Sequence, residues 1–133
     1  MKTLVVDDSP MFCRLMCDIL SSFGPCDMAV NGMDALGLVE KALVEQAPYQ
    51  LILLDIMMPK MDGQVALQAI RAMEQKYGVP GAEEVVILMV TALDSPFAVT
   101  EAFFKGYCTD YLVKPITRQD LFDKLREYKL IQA

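Results

Sequence analysis

Five side chains with chemical potential stand where short apolar runs stop. Asp7 and Asp8 follow Leu4-Val5-Val6, Asp55 follows Leu51-Ile52-Leu53-Leu54, Thr91 follows residues 85–90, and Lys114 follows residues 111–113. Brought together, three carboxylates, a hydroxyl and an ammonium suit phosphoryl chemistry. Two unit charges ~5 Å apart at an effective dielectric of ~20 repel by ~3 kcal/mol. A trio of carboxylates therefore holds either a proton or a cation. Hard oxygen ligands with no imidazole or thiol among them favour Mg²⁺ or Mn²⁺ over zinc. With a divalent ion and Lys114 the local charge sums to zero, which leaves room for an incoming anion. Asp55 stands alone at the end of a strand expected to be deeply buried, opposite the Asp7-Asp8 pair, and is the nucleophile candidate. A carboxylate can accept a phosphoryl group as an acyl phosphate. The cation and Lys114 would then neutralise developing charge while Thr91 contacts one equatorial oxygen.

Composition removes many alternatives. The chain's 133 residues suit one domain, and 54% hydrophobic content supplies a core and excludes wholesale disorder. A net charge of −6 without a local basic stripe argues against nucleic acid or an anionic membrane as partner. The absence of histidine removes the usual general base, Ser-His triads and most zinc sites. The longest apolar run, residues 85–90, is far short of the ~20 residues of a membrane span. No secretory signal is legible at the N-terminus, so a cytoplasmic location is expected. The four cysteines, Cys13, Cys17, Cys26 and Cys108, contain no C-x-x-C and read as packed, reduced thiols.

The elements that must position these groups alternate. Strands are predicted at 3–6, 26–30, 51–54, 85–90 and 111–113, three of them continuously apolar, as strands covered on both faces are. Between them lie helical spacings: Phe12, Leu15, Met16 and Ile19; Ala35, Leu38, Val39 and Ala42; Ala66, Ala69, Ile70 and Met73; Val99, Ala102, Phe103 and Gly106. Leu121, Leu125 and Tyr128 form the last. Ser9-Pro10, Ser95-Pro96 and Thr117 with Asp120 mark helix starts, and Gly24 and Gly106 suit helix ends. The pattern is (βα) five times, an α/β doubly wound parallel sheet with ligands expected beyond the carboxyl ends of its strands. The second strand delivers only Asn31 there, as an outer strand would.

Taken singly these residues are commonplace. Adjacent acids often cap a helix, Asp62-Gly63 suits a turn, Thr91 suits a strand end, and Lys114 suits a surface. Their joint placement after different strands of one sheet is what points to a site.

The set Asp7-Asp8, Asp55 through Gly63, Thr91-Ala92 and Lys114-Pro115 resembles the response-regulator receiver domains of two-component signalling, of the stand-alone CheY-like kind. The resemblance runs over essentially all of residues 1–133, so it implies a receiver with no output domain. It implies the flavodoxin-like strand order 2-1-3-4-5 and a phosphorylation-controlled switch rather than an enzyme. Asp55 would accept the phosphoryl group from a histidine kinase or phosphotransfer protein. Mg²⁺ would sit on Asp8, Asp55 and the backbone carbonyl of Met57, with Asp7 acting through water. Thr91 and Lys114 would contact phosphoryl oxygens, Tyr111 would follow Thr91 on activation, and Lys114-Pro115 would be cis. The bulk of Met57 is expected to hinder a hydrolytic water. Output would pass by protein–protein contact through the face of the fourth helix (99–106), the fifth strand and the fifth helix, where one of Phe103, Phe104 and Tyr107 is expected exposed. Two rivals are a small Mg²⁺-dependent phosphatase or phosphotransferase with an aspartyl nucleophile, and a docking module that is never phosphorylated. The former usually has a D-x-D loop after its first strand, where this chain has Asp7-Asp8.

Overall fold

The structure, a computed structural model, describes residues 1–56, 63–91 and 108–132. Five strands, β1 (Thr3–Val6), β2 (Cys26–Ala29), β3 (Leu51–Asp55), β4 (Val86–Thr91) and β5 (Asp110–Val113), form one all-parallel sheet in the order β2-β1-β3-β4-β5. The helices are α1 (Pro10–Leu20), α2 (Gly32–Val44), α3 (Gly63–Lys76) and the C-terminal α4 (Arg118–Glu127). The predicted helix at 99–106, with its Ser95-Pro96 start and the aromatics Phe103, Phe104 and Tyr107, lies outside the described residues, as do Met57 and Asp62.

Strand alternation divides the core in two. Leu4, Val6, Ile52, Leu54, Ile87 and Met89 face α2 and α3, whereas Val5, Leu51, Leu53, Leu88, Val90 and Leu112 face α1 and α4. Both faces of the central strands are thus dry, which is why their sequences are unbroken apolar runs.

Helix starts follow the expected chemistry. The Ser9 hydroxyl accepts from Phe12 N–H at 3.2 Å ahead of Pro10 in the first helical position, and Thr117 with Asp120 forms a reciprocal capping box. Asn31 departs from its reading as a group delivered to the crevice. Its side chain caps α2, accepting from Asp34 N–H at 2.8 Å. Gly24 follows a short 3₁₀ turn with φ 146°, and a Cβ there would collide with the Met1 backbone.

Two further expectations are corrected. The inward stripe of α1 is centred on Cys13, Met16 and Leu20; of the expected stripe Phe12 and Ile19 pack at its margin, while Leu15 is half exposed. Both stripes are apolar at helical spacing, so only the packing of α1 onto the sheet chooses between them. The reduced state expected of all four cysteines holds for Cys13 and Cys108, which are buried and free, but Cys17 and Cys26 are joined by a disulfide. α1 lies against β2 so that their Cα atoms come within 5.5 Å, inside the span of about 4.4–6.8 Å usual for bridged cysteines. No sequence spacing announces that approach.

One buried carboxylate was not foreseen. Glu74 of α3 accepts from Val85 N–H at 2.8 Å and from the Arg71 guanidinium at 2.7 Å, and Arg71 also donates to the Val85 carbonyl. This fastens the start of β4, the end of the sheet remote from the acidic residues, to α3.

Candidate functional site at the carboxyl edge of the sheet

The carboxyl ends of β1, β3, β4 and β5 lie side by side, and register fixes which residues meet. Val6 pairs with Leu54, Asp55 with Val90, and Thr91 with Val113. One residue past the end of β1, or at the end of β3, stand Asp7 and Asp55, both buried, while Asp8 is exposed at the rim. One carboxylate oxygen from each of Asp7, Asp8 and Asp55 lies within 4.8 Å of the others. This is the one such acidic cluster among the described residues.

Asp7 is held from two sides. Its Oδ1 accepts the Ser9 N–H at 2.9 Å and its Oδ2 accepts from Lys114 Nζ at 2.9 Å. The bond from Ser9 N–H to Asp7 orients the turn into the capped helix. Lys114 reaches the cluster because its backbone N–H donates to the Thr91 carbonyl at 2.8 Å, which extends the β4–β5 ladder by one step. The Lys114-Pro115 peptide is cis. Burial alone would pull the Lys114 ammonium down, but the hydrogen bond and charge of Asp7, then the charges of Asp55 and Asp8, outweigh it and hold the group above the ordinary lysine value. The ammonium also lies over the Phe12 ring, 4.5 Å from its centroid, close enough for a cation–π attraction.

Thr91 is buried at the end of β4. Tyr111 pairs with Met89, two residues before Thr91, so Tyr111, Met89 and Thr91 share one face of the sheet. Tyr111 is 41% exposed on that face. On the other face Asp110 anchors β5 to α4, accepting from Lys124 Nζ at 2.7 Å, Tyr128 O–H at 2.6 Å and its neighbour's Tyr111 N–H at 2.8 Å.

The residues singled out from the sequence that are described here, Asp7, Asp8, Asp55, Thr91 and Lys114, thus converge on one edge, with Tyr111 one strand-length back on β5. Met57 lies outside the described residues. Two neighbours escaped sequence reasoning. Phe12 was assigned to the core stripe of α1, and nothing in its spacing reveals the lysine above it. Gly63 was assigned to turn chemistry together with Asp62. Its N–H donates to the Ile56 carbonyl at 2.8 Å, and a Cβ there would run into the Asp55 carbonyl oxygen and lie 2.7 Å from Ile56 Cα. Close approach to the β3 backbone, rather than turn conformation, is what demands glycine at 63.

The donor set matches a small hard cation: carboxylate oxygens clustered at one point, one of them exposed to solvent, with no imidazole or free thiol side chain in the cluster. The same edge carries one ammonium and a buried hydroxyl, groups that stabilise a tetrahedral anion.

Comparison with known proteins gives a consistent picture. The chain matches the response regulator receiver domain family over residues 3–126. It is 32% identical over 126 residues to the chemotaxis protein CheY of Treponema pallidum (strain Nichols), covering 93% of this chain and 79% of that one. It is also 31% identical over 128 residues to hybrid signal transduction histidine kinase L of Dictyostelium discoideum, spanning 96% of this chain but only 7% of that protein. The Vibrio cholerae chemotaxis protein CheY4 shares the fold with a TM-score of 0.76 at 30% identity, over 96% of this chain and 97% of that one. A chain in the co-crystal structure of the Saccharomyces cerevisiae phosphotransfer protein Ypd1 with the receiver domain of Ssk1 gives a TM-score of 0.81 at 26% identity, over 100% of this chain and 91% of that one. The chain therefore belongs to the response regulator receiver domains, the CheY-like signalling switches of two-component and chemotaxis systems.

Proposed function

We propose that this receiver is switched by phosphorylation of Asp55 and signals by protein–protein contact. The observation that carries the reading is the convergence of Asp7, Asp8 and Asp55 oxygens within 4.8 Å, with the Lys114 ammonium 2.9 Å from Asp7. Such crowding is unfavourable for three bare carboxylates and becomes favourable once a cation is present.

Asp8 and Asp55 would hold a Mg²⁺ ion (or Mn²⁺) directly, with the Met57 carbonyl that the family resemblance implies. Asp7, already bonded to Ser9 and Lys114, would act through water. When bound, the ion withdraws charge from the oxygens of the transferring group. The Asp55 carboxylate attacks the phosphorus of a phosphohistidine, forming the O–P bond as the N–P bond breaks, and the imidazole leaves with the bonding pair. Lys114 turns toward the new dianion and Thr91 donates its hydroxyl to it. The protein thus assists its own modification, supplying the nucleophile and the electrostatics, and it is not a turnover enzyme.

The readout runs through Thr91 and Tyr111, which share a sheet face, so movement of Thr91 toward the phosphoryl group frees space that Tyr111 occupies. This shifts the population toward a partner-binding form. The downstream face comprises β5, the C-terminal helix and the segment before β5. The phosphodonor is a histidine kinase or phosphotransfer protein. Met11, 82% exposed, and Leu15, 53% exposed, lie on the α1 turns that follow Asp8 and offer it apolar footing. No helix among the described residues is long and apolar enough to cross a membrane, and the site of action is the cytoplasm, where such kinases present their phosphohistidine.

The test is incubation with acetyl phosphate and Mg²⁺, followed by intact mass measurement. One added phosphoryl group is expected, absent without divalent ion and absent in Asp55→Asn. Continuous turnover of a generic phosphate ester would point instead to a phosphatase. Failure of beryllofluoride with Mg²⁺ to alter Tyr111 would point to a docking module.

A further inference from the structure

The four cysteines fall into two classes that the fold separates. Cys13 packs under α1 with its Sγ 3.4 Å from the Asp7 carbonyl, and burial first, then the Asp7 charge, pushes its thiol up to about 11. Cys108 is also buried, and its thiol is likewise raised by burial. Both are enclosed in the core, out of reach of a disulfide in solution. Cys17 and Cys26 differ. Both are partly exposed, and they face each other across the contact between α1 and the edge strand β2 with Cα atoms 5.5 Å apart. That spacing admits a disulfide without backbone movement.

We propose that Cys17 and Cys26 form a redox-sensitive site, a dithiol that closes reversibly into this disulfide by exchange with a low-molecular-weight disulfide. One thiolate attacks the small disulfide, forming a mixed disulfide and releasing one small thiol. The second cysteine then attacks the protein sulfur of that mixed disulfide and releases the other small thiol. Two electrons pass from the protein to the small disulfide, and the two protons end on the two released thiols. Both thiols of the pair are partly exposed, while Cys13 and Cys108 are buried and out of reach of the intermediate. In a reducing compartment a disulfide of this kind is transient and sensing rather than structural.

Closure ties the second half of α1 to the first residue of β2. The cross-link sits seven residues past Pro10, the first residue of α1, roughly 10 Å along the helix at 1.5 Å per residue. It therefore governs how freely α1 moves on the sheet and leaves the acidic cluster itself untouched. The proposal stands independently of Asp55 chemistry, and each is read by a separate measurement.

The full chain is equilibrated in glutathione buffers of graded ratio without denaturant, then alkylated and weighed intact. Oxidation is expected to remove two alkylatable thiols with the loss of two hydrogens, to reverse on adding dithiothreitol, and to vanish in Cys17→Ser and in Cys26→Ser. Cys13→Ser and Cys108→Ser are expected to leave the transition in place. The oxidised protein should melt roughly 5–10 °C above the reduced one, the gain of closing a short loop in a domain this size. That difference should be absent in Cys17→Ser, whose phosphorylation by acetyl phosphate is expected to match the parent. The proposal is overturned if all four thiols persist at every ratio, if Cys13 or Cys108 is consumed alongside the pair, or if dithiothreitol fails to reopen the bond in the folded protein.

Discussion

Replacing Lys114 by methionine removes the one cation facing the acidic cluster among the described residues while keeping its aliphatic bulk beside Phe12. The reading of this edge as a Mg²⁺ site then makes a counterintuitive demand: the variant must bind Mg²⁺ more tightly than the parent. Lys114 Nζ lies 2.9 Å from Asp7 Oδ2, and the Asp7, Asp8 and Asp55 oxygens lie within 4.8 Å of one another, so an ion among them would sit close to the ammonium. Unit and double positive charges about 5 Å apart repel by about 6–7 kcal/mol at a dielectric near 20 and by about 1.7 kcal/mol in water. The Lys114 side chain is 34% exposed, which places the net effect toward the lower end, about 1.5–3 kcal/mol. That corresponds to a Kd for Mg²⁺ roughly 10- to 150-fold lower. Calorimetric titration with Mg²⁺ reads it directly. Without Mg²⁺ the variant should also melt earlier, because buried Asp7 keeps only the Ser9 N–H of its two partners, and Mg²⁺ should restore more of its melting temperature than the parent gains. Lys124→Met is the control. It removes an equal charge from Asp110, away from the cluster, and should leave Mg²⁺ affinity unchanged. A Lys114→Met variant with equal or weaker Mg²⁺ binding would refute the placement of the ion.

Three further outcomes follow from the geometry. Burial alone would raise the Asp110 carboxyl, but the Lys124 ammonium, the Tyr128 hydroxyl and the Tyr111 N–H together hold it below the ordinary carboxylate range. Its stabilisation is therefore complete above the unfolded value near ~3.9 and drains as pH falls through the lowered one. Asp110→Asn should cost about 1.5–3 kcal/mol in urea melts at pH 7, and the gap from the parent should narrow on acidification from about pH 5 toward pH 2. A gap independent of pH would dismiss the charge as its source. Gly63→Ala places a methyl against the Asp55 carbonyl, so the start of α3 must shift. About 1–3 kcal/mol of stability and a slower acetyl phosphate reaction are expected, and unchanged melting would contradict the close approach. Met57→Asn should shorten the lifetime of the phosphorylated form by giving a hydrolytic water a polar partner, and equal rates of phosphate release would discard the steric role of Met57.

Strand and helix placement was legible because each element's local chemistry agrees with the global fold. Unbroken apolar runs such as Leu51 through Leu54 are sterically and energetically at home only between two helical layers, and Ser9-Pro10 and Thr117 with Asp120 carry their own helix starts. The site was legible for a topological reason. In a parallel sheet every strand exits at the same edge, so polar residues that end different strands must gather there whatever the details of packing. Side-chain type and position in the chain alone thus determine that Asp7, Asp8, Asp55, Thr91 and Lys114 meet.

Tertiary packing decided what depends on contacts between segments distant in sequence. The face of α1 turned inward could not be chosen from a helix apolar on two stripes, and the choice fell to how α1 settles over β1 and β2. The same settling brought Cys17 to Cys26 and turned two unremarkable thiols into a cross-link. Phe12 beneath Lys114, Gly63 against Asp55 and Glu74 beneath Val85 are likewise meetings of groups whose separation in the chain carries no signal. Local propensity and periodicity act within a few residues. These contacts exist only after the sheet has formed and the helices have closed on it, so no reading of spacing could have supplied them.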